Sequence, residues 1–147
     1  IRPVYYNWPM ADRAYSQKTQ YLFGSELMVC PITEPEDFVR GVKEALHCEG
    51  VRFVAGSRPV TKVAVGGGSC GDSLYRIREL GYDALVTADC KYNQFADAYE
   101  YGITLVDAGH FQTENPVCAY VAEKLREAFP ALEVIESKVH KDHIRFA

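Results

Sequence analysis

Residues 84–116 read ALVTADCKYNQFADAYEYGITLVDAGHFQTENP, and this stretch sets the class of the fold. It contains an apolar strand at 84–87, a helical stretch at 91–101 that Gly102 closes, and a second apolar strand at 103–106. Strand, helix and strand with short connections are typical of a βαβ unit. Uninterrupted apolar strands suit burial on both faces of a parallel sheet, so the sequence predicts an α/β domain.

The same alternation continues on both sides of this unit. The spacing of apolar residues predicts helices and further strands, the helices at 36–47, 72–80 and 116–129 and the strands at 51–54, 62–65, 132–135 and, as a last short one, 143–146. Asn115 is expected to cap the last helix, with Pro116 at its first position. We therefore expect residues 34–147 to form one α/β domain, with alternating strands and helices and a mostly parallel or mixed sheet.

The first 33 residues do not share this pattern. They contain three prolines, many aromatic residues and one plausible strand at 26–30, and they form no βα unit. We expect an irregular, partly β N-terminal stub over residues 1–33, with a junction near Thr33. Because the chain starts at Ile1 without an initiator methionine, we interpret it as a fragment.

The overall composition excludes several classes of protein. The chain has 147 residues, of which 48% are hydrophobic and 24% charged, as in ordinary globular proteins. The net charge of −4 counts against nucleic acids and membrane surfaces as partners. The sequence shows no signal-peptide pattern, and the five cysteines lack C-x-x-C spacing, so we expect reduced thiols in a cytoplasmic protein, with Cys118 packed inside a helix.

Three loops follow the carboxyl ends of predicted strands, where open α/β sheets bind their ligands. They are residues 66–71, 88–93 and 107–114. In the third loop His110 and Glu114 stand four residues apart, and imidazole with carboxylate suits zinc, manganese or iron. The alternative is a surface histidine beside an acid that favours a helix start.

Three more residues near these loops are second-tier candidates. Asp107 is either a further metal ligand or the partner that holds the imidazole. Asp89 is a ligand, a base or a helix cap, and Lys91 either meets a phosphate or is simply solvated. The tail residues His140 and His143 have a metal-binding spacing, but their polar surroundings favour a solvated segment.

The glycine-rich first loop allows a different function. Gly66, Gly68 and Gly71 match the G-x-G-x-x-G pattern between a strand and a helix, and Asp89 follows 18 residues after Gly71. This arrangement is typical of a Rossmann-type nucleotide binder, in which glycines admit a pyrophosphate and an acid binds ribose. The alternative is a tight turn that needs glycine for its backbone angles.

Four sequence strings resemble the NIF-three-like family, also called the GTP cyclohydrolase 1 type 2 homologue family. They are VAVGGGSCG at 63–71, VTADCKYNQF at 86–95, LVDAGHFQTE at 105–114 and IRF at 144–146. The resemblance covers about residues 34–147. It implies an α/β fold built from two related halves, a dinuclear metal site and homo-oligomers in the form of toroidal hexamers.

The resemblance also implies site residues. The family's G-H-x-x-T-E motif carries its histidine and glutamate ligands onto His110 and Glu114. Its other ligands, a histidine pair and an aspartate, lie in an N-terminal half that residues 1–33 do not match, and many members have His where this chain has Asn93. We therefore expect a C-terminal half that binds metal weakly and is inactive alone.

The function that the resemblance implies is a metal-dependent, hydrolase-like activity on a nucleotide or related small molecule. The alternative that we keep beside it is a non-enzymatic oligomeric scaffold or binding module.

The N-terminal stub resembles a different family. RPVYY at 2–6 and QYLFGSELMVCPI at 20–32 are similar to glycoside hydrolase family 31, near the end of its catalytic barrel. The aspartates that perform the chemistry of that family lie upstream of the matching segment and are absent. The resemblance implies a fragment without catalytic residues, so glycoside hydrolysis is the least favoured function.

Overall fold

The computed structural model divides into two compact units, residues 1–33 and residues 34–147. It describes residues 34–147 and, in the first unit, the backbone of residues 2–3, 21–23 and 27–29. These strands, β1 (Arg2–Pro3), β2 (Tyr21–Phe23) and β3 (Leu27–Val29), pair antiparallel in the order β1-β2-β3. The glycosidase-like resemblance depends on side chains outside the described residues and stays a prediction.

The second unit alternates helices and strands along the chain. Its elements are α1 (Pro35–Ala45), β4 (Arg52–Val54), β5 (Val63–Val65), a 3-10 turn (Gly71–Ser73), α2 (Leu74–Glu79), β6 (Ala84–Thr87), α3 (Tyr92–Tyr101), β7 (Thr104–Asp107), α4 (His110–Glu114) and α5 (Pro116–Ala128). The described helices include none that is long and apolar enough to cross a membrane.

The four strands of this unit form a mixed sheet in the order β4-β7-β6-β5. β5, β6 and β7 run parallel, whereas β4 pairs antiparallel with β7. Leu105 in β7 lies between Leu85 of β6 and Val54 of β4 in the sheet register. The predicted α/β class with a mostly parallel or mixed sheet is confirmed.

The two central strands, β6 and β7, are buried along their whole length. Leu85 and Leu105 pack with Leu74 of α2 and Ala98 of α3, and are at most 2% exposed. The alternate strand residues pack in a second apolar cluster with α1, which comprises Val39, Cys48, Val86, Val106 and Ala108. Helices therefore cover both faces of the sheet, as the apolar strands predicted.

Glycines close the two helices that precede β6 and β7. Gly81 and Gly102 have φ angles of 68° and 65°, the left-handed conformation in which glycine ends a helix without steric cost. Both helix ends agree with the sequence prediction.

The predicted strands at 132–135 and 143–146 are wrong, because neither segment has strand structure. A strand needs a backbone partner, and the carbonyl of Val134 instead accepts a hydrogen bond of 3.0 Å from the Arg126 guanidinium on α5. Asn115 stands at the N-cap position of α5, with Pro116 first in the helix, as predicted. Its backbone is helical and its side chain forms no capping hydrogen bond, because α4 precedes it directly.

One side of α5 is apolar and open to solvent. More than a third of each apolar side chain there is exposed, in Val117, Tyr120, Val121, Leu125 and Phe129, which we call the exposed α5 face. Cys118 lies in α5, as predicted, but its side chain is exposed, so the prediction that it is packed there is wrong. Monomeric proteins rarely leave large contiguous apolar patches open, which makes this face a candidate contact surface.

Candidate functional site

The three loops that follow β5, β6 and β7 meet at one edge of the sheet. The amide N–H of Ala88 donates to the Gly68 carbonyl at 2.9 Å, and the amide N–H of Gly68 donates to Thr113 Oγ1 at 3.0 Å. The carboxyl ends of parallel strands thus bring residues 66–71, 88–93 and 107–114 into contact, as the topology predicts.

Asp89, His110 and Glu114 form a cluster at this edge, which we call the His110 cluster. Gly109, with φ 88°, starts α4, so that His110 and Glu114 stand one turn apart on the same side. His110 Nε2 lies 3.2 Å from Glu114 Oε2, and His110 Nδ1 lies 2.5 Å from Asp89 Oδ2. Each ring nitrogen therefore faces a carboxylate.

The two carboxylates change the protonation of the imidazole. The hydrogen bond to Asp89 and the charge of Glu114 raise the pKa of His110 above its ordinary value. All three side chains are about half exposed, so solvent reaches the cluster and ions can exchange with it.

The cluster fits one part of a metal site. A separation of 3.2 Å between Nε2 and Oε2 lets one ion with bonds of about 2.1 Å contact both atoms. Asp89 on Nδ1 is the carboxylate partner that metal-binding histidines typically have. Within the part of the chain that the structure describes, no group of three or more His, Cys, Asp or Glu residues is arranged to hold an ion. The cluster thus offers two donors and one orienting acid.

Asp107 is a candidate partner of the His110 imidazole in the sequence, but its carboxylate binds other groups in the structure. Its side chain is 6% exposed, forms an ion pair with Arg52, and accepts hydrogen bonds from the amides of Cys90 at 2.9 Å and Gly109 at 3.2 Å. Asp107 therefore fixes the starts of the second and third loops, while Asp89 takes the place beside His110.

In the second loop, the structure also differs from one of the alternatives given for Asp89. Lys91, not Asp89, is the N-cap residue of α3, and its amide N–H donates to Gln94 Oε1 at 2.8 Å. Asp89 has a φ of 55°, a backbone conformation uncommon for residues other than glycine, which places its carboxylate on His110 instead of on the helix. The helix-cap alternative for Asp89 is wrong.

The glycine-rich loop packs directly against the His110 cluster. Gly68 has a φ of 63°, and a Cβ atom there would overlap Glu114 Oε1 and lie 3.2 Å from the His110 imidazole. The Thr113 hydroxyl, which accepts from Gly68 N–H, donates to the Gly109 carbonyl at 2.9 Å and so joins the loop to α4. The sequence alone predicts no role for Thr113, although it stands in the G-H-x-x-T-E motif.

This arrangement is unfavourable for the dinucleotide alternative. A Cβ atom at Gly68 would meet Glu114 and His110, so the His110 cluster occupies the space beside the glycine loop that a pyrophosphate would need. The loop leads into a 3-10 turn of three residues, Gly71–Ser73, and not directly into a full helix.

The C-terminal tail helps to form a cavity beside the cluster. The cavity has a volume of about 400 Å³, and His110, Glu114, His140 and His143 are among its lining residues. The rings of Phe111 and His140 lie 5.0 Å apart, which brings the tail against α4. His140 and His143 are exposed, as the sequence predicts, but they also border the cavity of the His110 cluster.

A family model matches most of the chain. The model of Duf34/NIF3 (NGG1p interacting factor 3) matches residues 20–143, a range that begins before the second unit. A GTP cyclohydrolase 1 type 2 homolog of Clostridium perfringens is 31% identical over 112 residues, which are 75% of this chain and 43% of that protein. One of Nostoc is 43% identical over 67 residues, which are 46% of this chain and 26% of that protein.

Solved structures are also similar to this chain. A crystal structure of a Staphylococcus aureus protein has a TM-score of 0.68 and 25% identity, and the match covers 79% of this chain and 34% of that one. A Bacillus cereus protein related to NIF3 has a TM-score of 0.66 and 28% identity, and the match covers 79% of this chain and 33% of that one. The chain spans less than half the length of these relatives.

Proposed function

The chain belongs to the Duf34/NIF3 family, the GTP cyclohydrolase 1 type 2 homologues, and from this we propose that its second unit supplies half of a metal site in a metal-dependent hydrolase. The observation that supports this is the His110 cluster, in which one donor nitrogen and one donor oxygen lie 3.2 Å apart. The substrate class that we propose is a nucleotide or related small molecule.

Each residue of the cluster has a separate role in this proposal. His110 offers Nε2 and Glu114 offers a carboxylate oxygen, while Asp89 accepts a hydrogen bond from Nδ1–H and fixes the tautomer. Zinc, manganese or iron suits this donor pair. A metal ion bound there would supply Lewis acidity and activate water as a nucleophile. Because two protein donors are few, the complete dinuclear site uses donors outside the described residues, and this chain alone binds metal weakly.

Calorimetric titration of the chain with Zn²⁺ and with Mn²⁺ tests this proposal. We expect wild-type binding with a Kd above about 1 μM, where the binding free energy is about −8 kcal/mol. His110→Ala and Glu114→Gln should abolish the signal. His47→Asn is the matched control, because His47 is an exposed histidine at the end of α1 with a φ of 54°, which asparagine tolerates. Unchanged binding by the His110 variant would refute the metal role.

A second candidate function, a non-enzymatic oligomeric scaffold, is favoured by the exposed α5 face. An apolar surface of this kind is typical of a contact with another protein chain. Light scattering after size-exclusion chromatography tests it. We expect a homo-oligomer that Val121→Glu dissociates and that Glu123→Lys, a change at the adjacent residue, leaves intact. A wild-type monomer would count against the scaffold.

A further inference from the structure

Three basic side chains of the C-terminal tail border the same cavity as the His110 cluster. They are His140, Lys141 and His143, and all are exposed. Within residues 34–147 none of the three side chains forms an ion pair, and the ring contact of His140 with Phe111 involves no charge. The tail thus brings up to three hydrogen-bond donors without a counter-ion to this cavity.

The two acids of the cavity lining, Glu114 and Asp142, each have partners among the described residues. Asp142 accepts hydrogen bonds from Gln112 Nε2 at 2.7 Å and from the amide of Ile144 at 2.9 Å, and these bonds lower the pKa of its carboxyl. Glu114 faces His110. Lys141 also lines the cavity, and its ammonium group forms no ion pair with a described carboxylate.

From this arrangement we infer that the tail binds the anionic group of the substrate, and that this group is a phosphate monoester. The inference rests on the proposed function, because the His110 cluster borders the same cavity. The three terminal oxygens of a phosphate monoester match the three donors of the tail, and charge-assisted hydrogen bonds of this kind are strong.

The rest of the lining suits the organic part of such a substrate. Phe111, Val117 and Ile144 supply apolar surface to the cavity, and its volume of about 400 Å³ lies within the usual range of small-molecule sites. A phosphate group on Lys141 would thus leave its ring or alkyl portion in apolar surroundings, with the reacting bond near the His110 cluster.

Titration of the full chain with phenyl phosphate, in the absence of metal, tests the inference. We expect Lys141→Met to weaken binding at least about tenfold, the effect of losing one hydrogen bond to a charged group. Lys141→Arg should retain most of the affinity. Lys138→Met is the matched control and should bind like wild type, because Lys138 is exposed but does not line the cavity.

Two further arms separate the alternatives. Benzoate carries the same ring with a carboxylate, and binding equal to that of phenyl phosphate would overturn the phosphate assignment. Equal affinity of the Lys141→Met variant and wild type, or no wild-type binding, would overturn the site itself. The Zn²⁺ titration of Lys141→Met should match wild type. A failure of metal binding is therefore visible separately from a failure of anion binding.

Discussion

Replacement of Gly68 by alanine tests whether the glycine-rich loop holds the side chains of the His110 cluster in place. Gly68 has a left-handed backbone conformation, which an alanine adopts at a cost of about 1–2 kcal/mol in folding free energy. Part of this cost is offset because alanine makes the unfolded chain less flexible. In addition, the new Cβ would overlap Glu114 Oε1 and approach the His110 imidazole to 3.2 Å. We therefore expect Gly68→Ala to displace both side chains and weaken Zn²⁺ binding at least about tenfold, which is 1.4 kcal/mol.

Gly81→Ala is the control for backbone strain alone. Gly81 has a φ of 68°, close to that of Gly68, but a Cβ there meets nothing within 4 Å. Urea unfolding of the metal-free variants should show a comparable backbone cost of about 1 kcal/mol in both. Calorimetric Zn²⁺ titration should show the loss of affinity in Gly68→Ala only. Wild-type affinity in Gly68→Ala, or an equal loss in Gly81→Ala, would show that the glycine-rich loop does not hold the His110 cluster in place.

Three other predictions concern Asp89, Asp83 and two cysteines of the second unit. Asp89→Asn should weaken Zn²⁺ binding by roughly 10–100-fold because the imidazole loses its carboxylate partner; an unchanged calorimetric Kd would contradict this. Asp83→Asn should lower the unfolding free energy by about 2 kcal/mol. Burial alone would raise the pKa of the Asp83 carboxyl, but hydrogen bonds from Thr61 and Lys62 lower it below 3.8. The stability of the wild-type protein, measured by urea titration, should therefore fall as the pH drops through that lowered value. A pH-independent difference in stability between wild type and the variant would count against this prediction. Iodoacetamide at pH 8 should label exposed Cys118 well before Cys90, whose pKa burial raises to about 12; mass spectrometry showing equal rates would rule this out.

The central sheet could be predicted because its signal is local. Residues 84–86 and 105–106 are short apolar runs, and Gly81 and Gly102 mark the helix ends before them. The direction of β4 could not be predicted, since it depends on pairing with β7 over 50 residues along the chain. The segment at 132–135 has strand-like composition, but no described strand pairs with it, and the Val134 carbonyl accepts a hydrogen bond from Arg126 instead.

The sequence predicts the two donor residues of the candidate site, but it does not predict which residues hold them in place. His110 and Glu114 lie on one helical turn, so their spacing predicts that they converge. Asp107 is closer to His110 in sequence than Asp89 is, yet Arg52 and two amides hold the Asp107 carboxylate. The imidazole partner, Asp89, comes from the loop after the neighbouring strand instead, and sequence distance carries no information about that contact.

The shortness of α4 has a consequence for exchange kinetics. This helix has five residues and carries both donors of the cluster, and a single turn is not stable by itself in water. Its Thr113 hydrogen bonds and its continuation into α5 hold it closed. One local opening would release His110 and Glu114 together, so the lifetime of that turn, more than the strength of either bond, would set how fast an ion leaves.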